Sequence, residues 1–290
     1  MDLPKLFTFA LLALTLNTYG QQVHQFSFNN AQDMRRYFKV TPGLQIISGH
    51  RGTIEEGMPE NSIAAMEAVL QHTPAIFEVD PRLTKDSVAV MHHDAAMERT
   101  TTGRGLLKDH AFADLKDIRL KDTKGNITSY NINTLDEMIR WAKGKTILNL
   151  DKKDLPLQMT ADIIEKHQAY AWVWVTVHTV KEARFFLERH PDQFISMHIK
   201  TKEALKDFVA AGLPFDRMIV YIGSELKDSN LDMYRFFNKK GVMCMISTAP
   251  SYDKLTDKTE RAERYKAVFA QGAAILESDL PIAVSQALSK

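Results

Sequence analysis

The run Ala75-Ile76-Phe77-Glu78-Val79, followed by Asp80, by Pro81-Arg82-Leu83-Thr84-Lys85-Asp86-Ser87 and by Val88-Ala89-Val90-Met91, decides the fold. Both apolar runs have strand character. Parallel neighbours need a crossover of about a dozen residues or more, and Pro81 to Ser87 is too short for one. The pair therefore reads as a hairpin-like excursion, with suitable turn chemistry in Lys85-Asp86-Ser87.

Outward from there, strand candidates recur at 45–48, 146–150, 172–177, 194–198, 218–222, 242–246 and 274–277. Amphipathic segments such as 62–72, 134–143 and 181–189 lie between them. Alternating β and α at this spacing argues for a parallel sheet with helices outside. With Val88–Met91 set aside as the excursion, eight strand positions remain. That predicts an α/β fold, a (β/α)8 TIM barrel in a single domain over 45–290, with a hairpin and loop insertion after the second strand. Residues 21–44 read as a polar N-terminal leader with a short helical piece around 33–38. The insertion, 95–144, includes Thr100-Thr101-Thr102-Gly103-Arg104-Gly105, a surface loop in position to wall the substrate side.

Residues 1–20 are of another kind. Lys5 precedes eleven apolar-rich residues, Leu6 to Leu16, and then polar Asn17-Thr18-Tyr19-Gly20. That order predicts a secretory signal peptide, and export to a periplasm or the medium. The apolar stretch is too short to cross about 30 Å of hydrocarbon as a helix. A formal net charge of +1, from 37 basic and 36 acidic side chains, offers neither a nucleic-acid footprint nor a polybasic membrane anchor. The expected partner is a small molecule. Cys244 is the sole cysteine, so no intrachain disulfide forms, and its apolar surroundings predict a buried side chain.

Barrel chemistry gathers at the C-terminal ends of strands. His50 ends the first strand candidate, Glu78 and Asp80 the second, and His93-Asp94 the excursion; Asp151 and Lys153 follow the run at 146–150. Period-two alternation puts Glu78 with Asp80, and Asp151 with Lys153, on common faces. Carboxylates about 5 Å apart repel by about 3 kcal/mol per pair at an effective dielectric near 20, so Glu78, Asp80 and Asp151 call for protonation or a cation. All-oxygen ligands favour one hard divalent ion, Ca²⁺ or Mg²⁺. His50 and His93 suit acid and base roles in breaking a P–O bond. His92 should face the opposite side of its strand from His93. Arg51 and Lys153 form a phosphate clamp, and Gly52 allows a close turn. Asn61 has the chemistry of an N-cap for the helix that follows. Glu60 and Asn61 are also candidates to brace the site from behind. His178 and His198 stand near strand ends, with packing roles expected.

The ordered set His50-Arg51-Gly52, Pro59-Glu60-Asn61-Ser62, Glu78-x-Asp80, Leu83-Thr84-Lys85-Asp86, His93-Asp94, Glu98-Arg99-Thr100-Thr101, Asp151-x-Lys153 and Ser278-Asp279-x-Pro281 resembles the glycerophosphodiester phosphodiesterase family. The resemblance implies metal-dependent hydrolysis of deacylated phospholipids, the glycerophosphodiesters, to glycerol phosphate and an alcohol. His50 and His93 would be general acid and base, Glu78, Asp80 and Asp151 the Ca²⁺ or Mg²⁺ ligands, and Arg51 and Lys153 the phosphate contacts. It further implies that the substrate's own glycerol hydroxyl attacks first, giving a cyclic phosphate that water then opens. The sequence departs from the family at Asp151, where Glu is usual, at Ser87, where Gly is usual, and at Ser247-Thr248-Ala249-Pro250.

The alternative on the same barrel is phospholipase D-like cleavage of lysophospholipid or sphingolipid phosphodiesters. It is disfavoured by the lack of a basic, aromatic amphipathic stretch for docking on a bilayer. A glycosidase built on paired carboxylates would leave two histidines and the phosphate clamp without a task. A catalytically dead binding barrel would be expected to have lost one of them.

Overall fold

The computed structural model describes residues 24–289, and the expected signal peptide at 1–20 lies outside the described residues. Helix α1 (Ala31–Tyr37) starts where the Asn30 side chain accepts from Asp33 N–H at 2.9 Å. Next come β1 (Ile46–His50), α2 (Ile63–Leu70) and β2 (Ile76–Val79), then the short pairs β3 (Pro81–Leu83) with β4 (Ala89–Met91) and β5 (Arg119–Lys121) with β6 (Ile127–Asn131). From α3 (Leu135–Ala142) onward the alternation is regular: β7 (Leu148–Leu150), α4 (Leu157–His167), β8 (Val173–Val177), α5 (Val180–Arg189), β9 (Ile195–His198) and α6 (Lys202–Ala210). The chain ends with β10 (Met218–Gly223), α7 (Leu231–Lys239), β11 (Cys244–Ser247), α8 (Lys258–Ala270), β12 (Ile275–Ser278) and α9 (Pro281–Leu288).

β1, β2 and β7 to β12 form one closed parallel barrel in which β1 pairs with both β2 and β12. These are the eight positions expected from the sequence, and the run at 146–150 is the third of them. β3 and β4 pair antiparallel, with Pro81 opposite Met91 and Leu83 opposite Ala89, so the excursion is a hairpin. The strand that faces 88–91, however, is Pro81–Leu83 within the expected connector, while the 75–79 run pairs in the barrel with β1 and β7. The hairpin turn puts Ser87 at φ 63, a left-handed conformation taken here without glycine. The β5–β6 ribbon in the insertion was not expected. β5 buries only Leu120 between Arg119 and Lys121 and β6 is mostly exposed, so no extended buried face marks them.

Alternation along the strands divides the barrel interior into layers. The lowest holds Ile46, Ile147, Trp174, Phe194, Ile219 and Met243, packed with Met34 and Phe38 of the leader. Trp174 stands edge-on to Phe38, ring centroids 4.5 Å apart, and its Nε1–H points at Met34 Sδ at 3.3 Å. The leader thus plugs the base. Two residues further along, six of the eight strands turn polar, with Ser48, Glu78, Asn149, Thr176, Ser196 and Glu277 all buried, while β10 and β11 bring Tyr221 and Met245. Two more bring the rim: His50, Asp80, Asp151, His198 and Asp279. A second apolar cluster joins the outer face of the sheet to the helices, and Cys244 is buried in it. Among the described residues no helix is long and apolar enough to cross a membrane.

Candidate active site

The rim starts where β1 ends. After His50 the chain turns through Arg51 at φ 55 and Gly52 at φ 87. A side chain at Gly49 would put its Cβ 2.1 Å from the Gly52 carbonyl oxygen, so the turn closes only over glycine. The turned backbone directs Arg51 N–H to Glu78 Oε2 at 3.1 Å, while the Arg51 carbonyl accepts from Asn61 N–H at 2.8 Å. Asn61 is not the N-cap expected from the sequence. Ser62 caps α2, its Oγ accepting from Ala65 N–H at 3.1 Å. Asn61, left-handed at φ 56, instead clamps Asp80: its Nδ2 donates to Asp80 Oδ2 at 2.7 Å and its Oδ1 accepts from Asp80 N–H at 2.9 Å. An amide offers the donor and the acceptor that this exchange needs, which a hydroxyl cap does not supply in one plane.

Glu78, Asp80 and Asp151 converge, with one oxygen of each within 4.8 Å of the others. Burial, then the charges of Asp80, Glu277 and Asp151, push the Glu78 carboxyl well above its ordinary range. Burial acts the same way on Asp80, but Lys153, Arg51 and the Asn61 amide overcome it and hold Asp80 low. Lys153 Nζ stands 2.9 Å from Asp80 Oδ1 and 2.6 Å from Asp151 Oδ2. Arg51 Nη1 reaches Glu60 Oε1 at 3.2 Å. Its Nε faces Asp80 Oδ2 at 3.4 Å without hydrogen-bond geometry and is buried with no other partner among the described residues. Both expected clamp cations therefore border the acid cluster, and one keeps an unmet donor. Lys152 turns away to pair with Glu182. Three clustered carboxylates with no nitrogen or sulfur ligand suit Ca²⁺ or Mg²⁺, and their mutual repulsion gives such an ion something to neutralise.

The histidines sort as alternation predicts. His92 is buried, with Nδ1 2.7 Å from the Asp94 carbonyl and Nε2 3.0 Å from Thr100 Oγ1, so both nitrogens are engaged in packing. His93 keeps a partly exposed ring with Nδ1 2.7 Å from Asp94 Oδ1, and its charge is felt at Asp80. His50 Nδ1 lies 2.7 Å from Asp279 Oδ1, and its Nε2 is 3.9 Å from Glu78 Oε2. Burial works to lower the His50 pKa, but the Asp279 hydrogen bond and the Glu277 charge prevail and raise it. In each pair the carboxylate accepts the hydrogen bond of Nδ1–H, which leaves Nε2 for chemistry.

Three contributors escaped the sequence reading as site residues. Asp279 orients His50, and Glu277 is buried two residues before it. Arg99 donates to Glu60 Oε1 and Oε2 at 2.8 Å each and to Asp94 Oδ2 at 2.6 Å. Glu60 thus bridges Arg51 and Arg99; burial would raise its pKa, but the two guanidiniums keep it low. Asp279 and Arg99 were legible only inside motifs, without a role. Glu277 had no signal beyond its place at a strand end.

A cavity of about 560 Å³ opens beside these groups, lined by His50, Arg51, Glu60, Glu78 and Asp151 but not by His93, Asp80, Lys153 or Asn61. It runs toward β8 to β12, past Asn149, Thr176, His198, Tyr221, Ser247 and Glu277. Burial, with the charges of His178 and Lys200, pushes His198 down to about 3, so it is a neutral wall residue. His178 packs against it at 4.3 Å between ring centroids. From the insertion, Thr123 reaches the cavity wall, so that segment does border the mouth.

The sequence profile of the glycerophosphoryl diester phosphodiesterase family matches residues 50–266, and the chain belongs to that family. A crystal structure of a glycerophosphoryl diester phosphodiesterase from Parabacteroides distasonis is 45% identical, with 92% of this chain and 94% of that one covered and a TM-score of 0.90. An Oleispira antarctica phosphodiesterase, solved in complex with the product sn-glycerol-3-phosphate, shares the fold at 18% identity and a TM-score of 0.65, over 85% of this chain and 98% of that one. A Bacillus subtilis glycerophosphodiester phosphodiesterase is 34% identical over 77 residues, which is 27% of this chain and 26% of that protein. The matched stretch thus spans about a quarter of that curated relative.

Proposed function

We propose, from that family membership, that the protein is a phosphoric diester hydrolase that cleaves glycerophosphodiesters to glycerol phosphate and an alcohol. The observation that carries the reading is the convergence on one barrel rim of two histidine–carboxylate pairs with a three-carboxylate cluster bordered by Arg51 and Lys153.

Glu78, Asp80 and Asp151 would hold the divalent ion. Bound there, Ca²⁺ or Mg²⁺ would offset charge on a nonbridging phosphate oxygen. One histidine Nε2 takes the proton of the attacking glycerol hydroxyl, and the other histidine gives a proton to the leaving alkoxide oxygen as its P–O bond breaks. Water then opens the cyclic phosphate, losing a proton to the second histidine while the first returns its proton to the glycerol oxygen. Asp279 and Asp94 hold the two rings in the working tautomer and stabilise each imidazolium as it forms. Arg51, which lines the cavity, would present its guanidinium, and Lys153 its ammonium, to the anionic phosphate. Glu60, fixed by Arg99, keeps the Arg51 fork from swinging away. Acid–base catalysis of this kind contributes about 10²- to 10⁴-fold for each positioned group.

Cleavage of acylated phosphodiesters is the weaker reading, because among the described residues Ile54, Met245, Ala249 and Pro250 are the aliphatic side chains on the cavity wall, too few to seat an acyl chain. The test is an assay of glycerophosphocholine, glycerophosphoethanolamine, glycerophosphoinositol and a lysophospholipid, with and without EDTA. Turnover of glycerophosphodiesters, lost on chelation and restored by Ca²⁺ or Mg²⁺, is the expected result. Full activity after thorough chelation removes the metal, and no turnover of any glycerophosphodiester sinks the reading. We also propose export, supported by the order of charged, apolar and polar residues in the first twenty positions. N-terminal sequencing of the mature protein checks it, and an intact Met1 start refutes it.

A further inference from the structure

We infer that Glu277 is a specificity-determining residue whose carboxyl group receives a free hydroxyl of the substrate's glycerol part, so that the cavity selects deacylated diesters. This rests on the phosphodiesterase reading above and names the substrate chemistry of the same cavity.

Glu277 stands on β12, where register places it beside Ser48 of β1 and Ser247 of β11. Period two puts it on the same face as Asp279, one layer deeper in the barrel. It is 6% exposed, and that remnant belongs to the cavity wall. A carboxyl group has lone pairs for about four hydrogen bonds, and buried acceptors are normally satisfied. Glu277 receives one long contact, from Ser48 Oγ at 3.5 Å, and some support from the Ser247 hydroxyl.

Its neighbours are committed elsewhere. Asp279 binds His50 and Lys254, and the Thr176 hydroxyl donates to Asn149 Oδ1 at 3.1 Å. The acid cluster that suits an ion is Glu78, Asp80 and Asp151, and Glu277, though its charge acts on Glu78, is not one of the three that converge. Glu277 does not orient a catalytic ring either, since the His50 Nδ1 partner is Asp279. What completes this acceptor is an O–H donor arriving through the cavity. A deacylated glycerol brings such donors, whereas an acyl ester brings acceptors and an apolar chain.

A site built to bond a hydroxyl rejects the analogue that lacks it far better than an apolar pocket rejects an extra hydroxyl. Binding calorimetry on the full chain in Ca²⁺ or Mg²⁺, with sn-glycerol 3-phosphate and propyl phosphate, reads this without turnover. The unaltered protein should bind sn-glycerol 3-phosphate about 10- to 100-fold more tightly than propyl phosphate, the range expected for a hydrogen bond to a charged group. Glu277→Leu should weaken sn-glycerol 3-phosphate alone and bring the ratio to within about threefold. Glu277→Gln keeps an acceptor oxygen and the side-chain volume, so it should fall between the two and guards against misfolding of the leucine variant. Equal binding of both ligands by the unaltered protein overturns the inference. So does an unchanged ratio in Glu277→Leu, or an equal loss for both ligands, which would mean that Glu277 serves the phosphate site. Because no step is catalytic, absence of diester turnover would strike the phosphodiesterase reading separately.

Discussion

In both rim histidines Nδ1 lies 2.7 Å from a carboxylate oxygen, yet the partner of His50 is 229 residues away and that of His93 is the next residue. His50 and Asp279 end neighbouring strands, and their contact exists only once the barrel has closed. His93 and Asp94 sit at the foot of the β3–β4 hairpin, where Arg99 and Arg82 brace them locally: Arg99 Nε bonds Asp94, and Arg82 Nε donates to the His93 carbonyl at 2.7 Å. The same chemical device is thus built once from tertiary structure and once from a turn. Long-range positioning couples His50 to the packing of the whole barrel, while His93 depends on one hairpin.

The largest test of this pairing is removal of the rings. His50→Ala and His93→Ala should each lower kcat by about 10²- to 10⁴-fold while far-UV circular dichroism stays unchanged. A near-normal rate in either variant breaks the equivalence. Asp279→Asn should come next, costing about 10- to 100-fold in kcat/KM, because the ring loses both its tautomer anchor and a stabilising charge. It should also move the pH profile. His50 has its pKa raised in the folded protein by Asp279 and Glu277, so its contribution to stability is full below the unfolded value, about 6.5, and is lost as pH rises through the folded value. Asp279→Asn should shift the His50 limb of the profile to lower pH and reduce the stability gained on acidification. An unmoved limb would assign that limb to another group. Asp94→Asn should be the mildest, below about tenfold in kcat/KM, since the arginines and the hairpin still hold the ring in place. A loss equal to that of Asp279→Asn would show that local bracing does not substitute for the carboxylate.

The barrel was legible because buried parallel strands announce themselves as short β-branched runs, and because Pro81 to Ser87 is too short for a crossover. The rim residues were legible through their place at strand ends. The His92–His93 choice followed from alternation alone. What sequence could not convey was partnership across the closure: no local pattern links Asp279 to His50, or Ser48 and Ser247 to Glu277. Asn61 shows a subtler limit. Asn and Ser both have capping chemistry, and only the left-handed turn at Asn61 decides that Ser62 caps while Asn61 clamps Asp80. The β5–β6 ribbon stayed hidden because Leu120 is the one buried residue of its two short strands, and repeated burial is what gives a strand its pattern.

Barrel closure also fixes when the protein becomes competent. Glu277 lies in β12 and Asp279 just after it, so the partner that aligns His50 is synthesised 229 residues later than His50 itself. A growing chain carries His50, the acid cluster and His93 long before it carries the strand that sets His50 to work. Alignment of His50 therefore waits for the whole barrel, and no shorter stretch of nascent chain holds the complete His50–Asp279 device.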